Sequence, residues 1–322
     1  MSLYGIKTER KNTKDHLRIQ DELILIISKM FNTEVKGIKF YHNKETHGDC
    51  DLLMLDHGNL GNVFEKLKKR FGIVHSNGGI FSFAYDNYQI DIILQTLQDW
   101  NCNSDYFDYD PSGNLMGKVA HKFGLKYGIN GLTYPFRSFS GQLKTDIIIS
   151  KDSKKIFEFL GFDYQRYLKG FDTLEEIYEY IINSKYFNPK GFMLNELNNV
   201  DRKRNKKRKT YRGFIEYINN RSDLPYFEYK EKDFYIDYIE EFFPESGFKK
   251  QLEDLKKENE KNKLASEKFN GHMIMQWCDL KGKELGDCLN KFKKYIGESL
   301  FREWVLNTDN IEDVFKKWFK MQ

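Results

Sequence analysis

Cysteine is scarce in this sequence, and long apolar runs are absent from it. The four cysteines are widely spaced and form no C-x-x-C pair: Cys50, Cys102, Cys278 and Cys288. That spacing fits reduced thiols in the cytoplasm better than a disulfide framework or a zinc site. Apolar stretches such as residues 23–27 are too short to span a membrane, and residues 1–10 lack the apolar centre of a signal peptide. We therefore expect a cytoplasmic protein that does not enter a membrane.

Glycine and proline are also sparse, with 23 and 5 residues among 322, which argues against collagen-like and low-complexity chains. Hydrophobic residues make up 40% of the chain and aromatic residues 16%, which is too much apolar surface for a disordered protein. At roughly 150 residues per domain, the length favours two domains. The sequence thus predicts a folded chain with a substantial core.

A large excess of either charge is missing from the chain as a whole, because 52 basic residues face 48 acidic ones. The balance changes over residues 201–212, DRKRNKKRKTYR, where eight basic residues accompany a single acid. This basic segment carries +7, which leaves −3 on the remainder of a chain whose net charge is +4. A concentrated cationic segment on a mildly acidic body favours a polyanionic partner. A solvated basic loop or a localisation signal has the same composition.

Hydrophobic periodicity alternates between the helical and the strand pattern in the first 150 residues. The predicted elements are a helix over 14–31 with Leu17, Leu23 and Ile27 on its apolar face, strands over 35–41 and 50–55, a helix over 59–71, a hairpin over 79–95 with its turn at Asp86-Asn87, a helix over 115–123 and a strand over 143–150. Beyond residue 150 nearly every pattern has the helical period. We predict an α+β fold with a mixed sheet and flanking helices over 1–150, followed by an all-helical domain over 151–322.

Acidic residues mark the start of one predicted strand and the middle of another. In a strand, residues i and i+2 point to the same side, so Asp49 and Asp51 present two carboxylates about 6–7 Å apart on one face. Asp91 lies inside the second strand of the predicted hairpin, and it joins the other two if the strands are neighbours. Oxygen ligands at this spacing suit Mg²⁺, which usually shares its coordination shell with substrate phosphates. Gly48 directly before them allows a close backbone approach.

This order of elements, a helix, a strand, a G-D-x-D strand, a helix and a hairpin with an acid in its second strand, resembles the polymerase-β-like nucleotidyltransferase superfamily over about residues 15–95. The resemblance implies transfer of a nucleoside monophosphate from an NTP to a hydroxyl through two Mg²⁺ ions. It assigns Asp49 and Asp51 to both ions, and it assigns Asp91 to the catalytic ion. Taken singly, aspartates at strand ends are usually only solvated.

The expected triphosphate contacts differ from the superfamily pattern. That superfamily usually has Gly-Gly or Gly-Ser about ten residues before the first acid, where this chain has the segment 40–44, FYHNK. Lys44 and Thr46 are candidate replacements from the same loop. Lys118 and Lys122, four residues apart on one predicted helix face, are candidates for the triphosphate tail, although surface helices show such pairs commonly.

Residues 279–292, DLKGKELGDCLNKF, are similar to the tail helix of bacterial CCA-adding enzymes and poly(A) polymerases, where a Gly-x-x-x-Gly turn opens a helix with leucines four residues apart. An ordinary capped helix has the same pattern. The segments with which CCA-adding enzymes read the incoming base are not found in this sequence, so the resemblance does not specify a CCA product.

The basic segment is the candidate contact for the acceptor, which we expect to be the tRNA-like 3′ end of an RNA. Tyr211 and Phe214 adjoin it and are expected to stack on bases. The candidate phosphate contacts are Arg202, Lys203, Arg204, Lys206, Lys207, Arg208, Lys209 and Arg212. Two alternatives remain open at this point: transfer to a protein or small molecule, and a nucleic-acid-binding protein without catalysis.

Overall fold

A computed structural model describes residues 2–3 and 5–322, and it shows an α+β protein with a mixed sheet in the N-terminal half and helices in the C-terminal half. The predicted fold class is confirmed. The first elements in chain order are β1 (Ser2–Leu3), β2 (Ile6–Lys7), β3 (Lys11–Asn12), α1 (Thr13–Phe31), β4 (Val35–Gly37), β5 (Thr46–His47), β6 (Asp49–Asp56), α2 (Val63–Phe71), β7 (Val74–Asn77), β8 (Ile80–Tyr85), β9 (Tyr88–Thr96), α3 (Trp100–Phe107), α4 (Ser112–Lys122), β10 (Lys126–Gly128), β11 (Gly131–Arg137) and β12 (Leu143–Ser150).

Helices and short 3₁₀ turns make up the regular structure after residue 150 in the described part of the chain. The helices are α5 (Ser153–Phe159), α6 (Tyr164–Leu168), α7 (Leu174–Ile182), α8 (Asn199–Asn205), α9 (Lys209–Asn219), α10 (Ile236–Phe242), α11 (Phe248–Lys268), α12 (Gly271–Cys278), α13 (Gly282–Ile296), α14 (Phe301–Asn307) and α15 (Ile311–Phe319). The 3₁₀ turns are Pro189–Phe192, Leu194–Glu196, Lys232–Tyr235 and Pro244–Ser246.

A five-stranded sheet with the order β4-β6-β9-β8-β7 forms the centre of the N-terminal half. The strands β6 and β9 run parallel, whereas the other neighbouring pairs are antiparallel. The predicted hairpin is confirmed as β8 and β9, and its turn residues Asp86 and Asn87 have φ of 50° and 55°. Two left-handed residues in a two-residue turn match the right-handed twist of the strands, which is why Asp and Asn suit this turn.

The two faces of this sheet are covered differently. Cys50, Leu52 and Ile92 point to one face, where they are buried in a core shared with α1 and α2. On the opposite face, Leu53, Leu55 and Ile93 form a second buried cluster with Trp100 at the start of α3. Since side chains alternate along a strand, the residues that precede Leu53 and Ile93 by two and four positions share the second face.

The chain divides into two compact units, and the division does not fall at residue 150. The first unit comprises Met1–Pro135 and Ile148–Phe248, and the second comprises Phe136–Ile147 and Lys249–Gln322. The five-stranded sheet does lie before residue 150, as predicted, but the helices α5 to α10 belong to the first unit.

Aromatic packing explains why the helices that follow residue 150 belong with the sheet. Phe123, at the end of α4, contacts Phe159, Tyr186, Tyr229 and Tyr235 with ring centres 4.7–5.6 Å apart. These rings are in van der Waals contact across three segments of the first unit, so burial ties them into one core. The sequence pattern could show where strands end but not which core a helix joins.

The second unit has its own aromatic core. Phe269, Phe292, Phe315 and Trp318 are buried in it, together with Ile274 and Val305. Leu285 and Leu289 of α13 pack against this core, which accounts for their four-residue spacing.

In the described part of the chain, we find no helix that combines the length and the apolar character needed to cross a bilayer. All four cysteines are free thiols; a cytoplasmic location stays a prediction.

Candidate active site

The strand register brings Asp49, Asp51 and Asp91 to one face of the sheet. In the parallel pair, Asp51 of β6 lies directly beside Asp91 of β9, and Asp49 lies beside Gln89. All three acids therefore share the face of Leu53 and Ile93, towards the starts of β6 and β9. The strands are neighbours, as joining the three acids requires.

Repulsion among these acids is visible in their pKa values. Burial, followed by the charges of Asp49 and Asp91, raises the pKa of Asp51 well above its usual range. More of Asp49 reaches solvent, yet desolvation by the surrounding protein and the charge of Asp91 raise its pKa as well. The charge of Asp91 thus makes ionisation of Asp49 and Asp51 more costly, and a cation beside these carboxylates relieves that cost.

Asp91 has an oxygen atom with nothing to bind. Its Oδ2 accepts a hydrogen bond from Gln89 Nε2 at 2.9 Å, whereas its buried Oδ1 has no hydrogen-bond partner among the described residues. An unsatisfied buried carboxylate oxygen is costly to retain. Within residues 2–3 and 5–322, no three His, Cys, Asp or Glu side chains are gathered as a ready-made set of metal ligands. The donor chemistry, three carboxylates with one unused buried oxygen, nevertheless fits a hard divalent cation such as Mg²⁺.

A hydrogen-bonded chain behind Asp49 was missed by sequence reasoning. Tyr88 Oη donates to the carbonyl oxygen of Asp49 at 2.5 Å, and it lies 2.9 Å from Nδ1 of His16. Because Tyr88 uses its proton on Asp49, His16 must donate from Nδ1. Burial, followed by the charge of Lys44, lowers the pKa of His16 to about 4, so this ring is neutral at pH 7. These hydrogen bonds from His16 through Tyr88 fix the backbone at Asp49.

His47, in β5, packs against the same His16 ring next to the loop that precedes β5. Its ring stacks on that of His16 with centres 3.8 Å apart, and its Nε2 lies 3.3 Å from Thr13 Oγ1. Thr13 donates in turn to the carbonyl oxygen of Lys44. Burial, followed by the charges of His16 and Lys44, lowers the pKa of His47 to about 3. Two neutral histidines therefore hold β5 and the loop before it against α1.

Of the predicted triphosphate contacts, Lys44 lies beside the acids. It is half-buried, and burial lowers its pKa against the opposing charges of Asp110 and Asp49. Thr46 is exposed, and its hydroxyl accepts hydrogen bonds from Arg10. Gly48 lies between β5 and β6 without a positive φ, so no unusual turn requires a glycine there.

Lys118 and Lys122 are occupied elsewhere. Lys118 is 5% exposed, and its Nζ donates to Asp201 Oδ2 at 2.7 Å. This ion pair ties α4 to α8, the first helix of the basic segment. Lys122 is half-buried and lies against Gly191. The structure therefore gives both lysines packing contacts within the first unit and does not bring them to the acids.

The basic segment reaches the acids at one point. Arg208 Nη1 lies 3.9 Å from Asp110 Oδ1, and Thr210 Oγ1 donates to Asp110 Oδ2 at 3.3 Å. Beyond burial and the repulsion among the three acids, the charge of Asp110 also raises the pKa values of Asp49 and Asp51. Asp110, which sequence reasoning missed, thus contacts the basic segment, and its charge acts on Asp49 and Asp51.

Within the basic segment, not every cation faces solvent. Arg202 binds the carbonyl oxygens of Leu194 and Leu197 at 2.9 and 2.8 Å, so it fastens a turn of the chain, and Arg208 is half-buried at Asp110. The exposed members are Lys203, Arg204, Lys206, Lys207, Lys209 and Arg212.

The predicted stacking of bases on Tyr211 and Phe214 is wrong. Both side chains are 0% exposed, because they form the buried face of α9, and Tyr211 Oη donates to the carbonyl oxygen of Phe192 at 2.6 Å. Their aromatic character serves the core. Any contact of this segment with an acceptor therefore depends on charge.

In the second unit, α13 begins at Gly282, which has φ of 57°, and Asp279 before it has φ of 53°. The predicted helix is present, and its leucines pack into the core of that unit. The N-cap residue Lys281 makes no side-chain capping hydrogen bond, and the similarity to tail helices of CCA-adding enzymes stays a prediction.

A comparison with the known protein families found no family model that matches the chain, and a search of curated proteins found no match either.

Proposed function

We propose that the protein is a metal-dependent nucleotidyltransferase that transfers a nucleoside monophosphate from an NTP to an acceptor hydroxyl. The observation that carries the proposal is the register of β6 and β9, which sets Asp51 beside Asp91 and puts Asp49 on the same face. Three carboxylates that share one face near the starts of β6 and β9, one of them with a buried oxygen that accepts no hydrogen bond, fit a site for divalent cations and the phosphates that accompany them.

Asp49, Asp51 and Asp91 are the residues that hold Mg²⁺ in this proposal. When bound, the two ions neutralise the triphosphate and lower the pKa of the attacking hydroxyl. In the transfer, the acceptor oxygen bonds to the α-phosphorus, the bond from that phosphorus to its bridging oxygen breaks, and pyrophosphate leaves. In this proposal Asp91 orients the acceptor hydroxyl, whose proton is released to solvent as the new bond to phosphorus forms. The chain from His16 through Tyr88 fixes the Asp49 backbone and so keeps the first acid in place.

RNA is the acceptor that the charge distribution favours. The exposed cations of the basic segment lie on α8, on α9 and in the turn between them, and Arg208 and Thr210 of this segment contact Asp110. In addition to burial and the neighbouring carboxylates, the charge of Asp110 raises the pKa values of Asp49 and Asp51. A polyanion bound along this segment would therefore have its end near the acids. Base stacking no longer supports this choice, since Tyr211 and Phe214 are buried. Transfer to a protein or a small molecule stays the alternative acceptor class.

The direct test is incorporation of label from an NTP labelled at its α-phosphate, with Mg²⁺ or EDTA, in the presence of total tRNA, total protein or no acceptor. We expect label to appear in RNA when Mg²⁺ is present, and not when EDTA is present. Asp51→Asn should lower the rate by at least about a hundredfold, because it removes one charge from the cation site. Asp56→Asn, at the far end of the same strand, is the matched control and should retain activity.

Full activity in Asp51→Asn would refute the assignment of the acids. Label in protein or in a small molecule would keep the chemistry and replace the acceptor. Salt-sensitive RNA binding without any NTP turnover would leave a nucleic-acid-binding protein as the remaining function.

A further inference from the structure

Two cations without a described acidic partner lie on the segments that precede β6, the strand that carries Asp49 and Asp51. Arg10 donates hydrogen bonds to Thr46, three residues before Asp49, and Lys44 lies five residues before Asp49 in the loop that leads into β5. Neither cation forms a salt bridge with a described acidic residue. Sequence reasoning had considered Lys44, whereas Arg10 lies 39 positions before Asp49 and no local pattern points to it.

Arg10 is fixed next to the start of β6 by the short ribbon of β3 and β5. Lys11 pairs with His47 in this ribbon, and β5 leads into β6 through Gly48. The Arg10 guanidinium donates from Nε to Thr46 Oγ1 at 3.2 Å and from Nη2 to the Thr46 carbonyl oxygen at 2.9 Å. Its Nη1 donates to no described residue, and the side chain is exposed. Arg10 is thus held on one edge and keeps a free donor group on the other.

Lys44 is placed between the acids and the loop. Its ammonium lies 5.8 Å from the ring centre of Phe40, and it makes no hydrogen bond or salt bridge with a described residue. A half-buried ammonium without a direct partner is costly, and a bound anion would remove that cost. Burial lowers the pKa of Lys44, and the charges of Asp110, Asp49 and Asp51 oppose that shift.

Backbone donors of the loop are already used. The amides of His42 and Asn43 donate to the carbonyl oxygens of Phe171 and Asp172 at 3.0 and 2.9 Å, and the amide of Lys44 donates to the Tyr41 carbonyl at 3.1 Å. These three N–H groups cannot bind phosphate while the loop keeps this structure. A phosphate grip at this position must therefore come from side chains.

We propose that Arg10 and Lys44 together bind the triphosphate of the incoming NTP, Arg10 through the free edge of its guanidinium and Lys44 as a point charge. This inference rests on the proposed transferase function and names the residues that bind its nucleotide. A guanidinium fork matches the geometry of phosphate oxygens, and the triphosphate supplies the negative charge that both cations lack as a direct partner.

The test compares binding of a non-hydrolysable α,β-methylene NTP analogue and of the corresponding NMP, both with Mg²⁺, by calorimetry. Arg10→Gln and Lys44→Gln should each raise the Kd of the triphosphate about tenfold to a hundredfold and leave the Kd of the monophosphate within about twofold. In turnover, KM for the NTP should rise in the same proportion. Lys69→Gln, an exposed position on α2, is the matched control for loss of one charge and should change neither constant.

Two further variants separate binding from a structural role of Arg10. Arg10→Lys should recover part of the affinity, because it keeps the charge. Thr46→Val removes the hydroxyl that anchors Arg10 but leaves the guanidinium, so it should cost less than Arg10→Gln. Equal losses in Thr46→Val and Arg10→Gln would overturn the proposal and leave Arg10 as a loop anchor.

The outcome also distinguishes this inference from the function on which it rests. Suppose that the wild-type protein transfers NMP and Asp51→Asn is inactive, yet Arg10→Gln and Lys44→Gln bind the triphosphate normally. The proposed transferase function is then supported, and the binding of the triphosphate by Arg10 and Lys44 is refuted. If the wild-type protein neither binds the analogue nor incorporates label, both are refuted.

Discussion

His16 is a buried histidine that carries no charge in the folded protein at neutral pH. Its pKa is lowered from 6.5 to about 4, chiefly by burial. The unfolded chain therefore binds a proton that the folded chain rejects, and the stability contributed by the neutral ring is present above pH 6.5. That contribution is lost as the pH falls from 6.5 towards 4.

We expect the free energy of unfolding to drop by about 2 kcal/mol between pH 7 and pH 5 on account of His16 alone. Chemical denaturation at the two pH values measures the drop, and His16→Gln should reduce it by about that amount. His57→Gln, which removes an exposed histidine, should leave the drop unchanged. An equal drop in wild type and His16→Gln would show that His16 is already protonated or solvated in the folded state.

The acids of the candidate site could be predicted from the sequence, whereas the residues behind them could not. Asp49 and Asp51 are two apart in one strand, so period-two alternation alone places them on one face. Asp91 required only that two strands be neighbours. His16 and Tyr88 are 72 positions apart, and their contact depends on how α1 packs on the sheet, which no local pattern encodes. Arg10 and Asp110 were missed for the same reason.

At the scale of elements, strong hydrophobic periodicity predicted where a helix lies more reliably than which of its residues are buried. The first helix is present as α1, but Leu17 is 41% exposed, and Ile19 lies with Leu23 and Ile27 on its buried face. A helix rich in aliphatic residues on several sides leaves the orientation of its buried face open. The helix α3 was not predicted at all; its buried residues include the polar Asn103, Ser104 and Asp105, so hydrophobic periodicity gives no signal for it.

The ion pair of Lys118 and Asp201 joins two elements of the first unit, α4 and α8. Its atoms are 2.7 Å apart, and burial lowers the pKa of Lys118 while the bond to Asp201 opposes that shift. Removing one partner leaves the other charge in a largely dry site, which costs more than removing both.

Lys118→Met and Asp201→Asn should therefore each destabilise the protein by about 2–4 kcal/mol, and the double variant by clearly less than their sum. Denaturant titration of the four proteins gives the coupling energy. The KM for the NTP should stay unchanged in folded Lys118→Met, because Lys118 is occupied by Asp201. A tenfold rise in KM for the NTP without loss of stability would instead indicate that Lys118 binds the triphosphate.

At the scale of the whole molecule, the basic segment and the sheet belong to the same compact unit. The aromatic core that spans residue 150 unites the sheet with the helices that carry the basic segment, so both belong to one compact unit. That segment carries +7 against −3 on the rest of the chain. Its aromatic residues face inward, so the chemistry that it offers to a partner is cationic, and binding through it must depend on salt.

Replacing the exposed lysines Lys203, Lys206 and Lys207 with Gln removes three charges from the basic segment. Each phosphate neutralised on a single strand contributes about 0.7 to the slope of log K against log salt concentration, so the slope for a single-stranded RNA should become shallower by about 2. Fluorescence anisotropy between low and moderate salt measures it. The control replaces Lys14, Lys68 and Lys69, which are exposed on α1 and α2, and should preserve the slope because the same net charge is lost at another place. Equal slopes for the two triple variants would mean that RNA responds to total charge alone, and the basic segment would then have no claim to guide an acceptor towards Asp110 and the carboxylates.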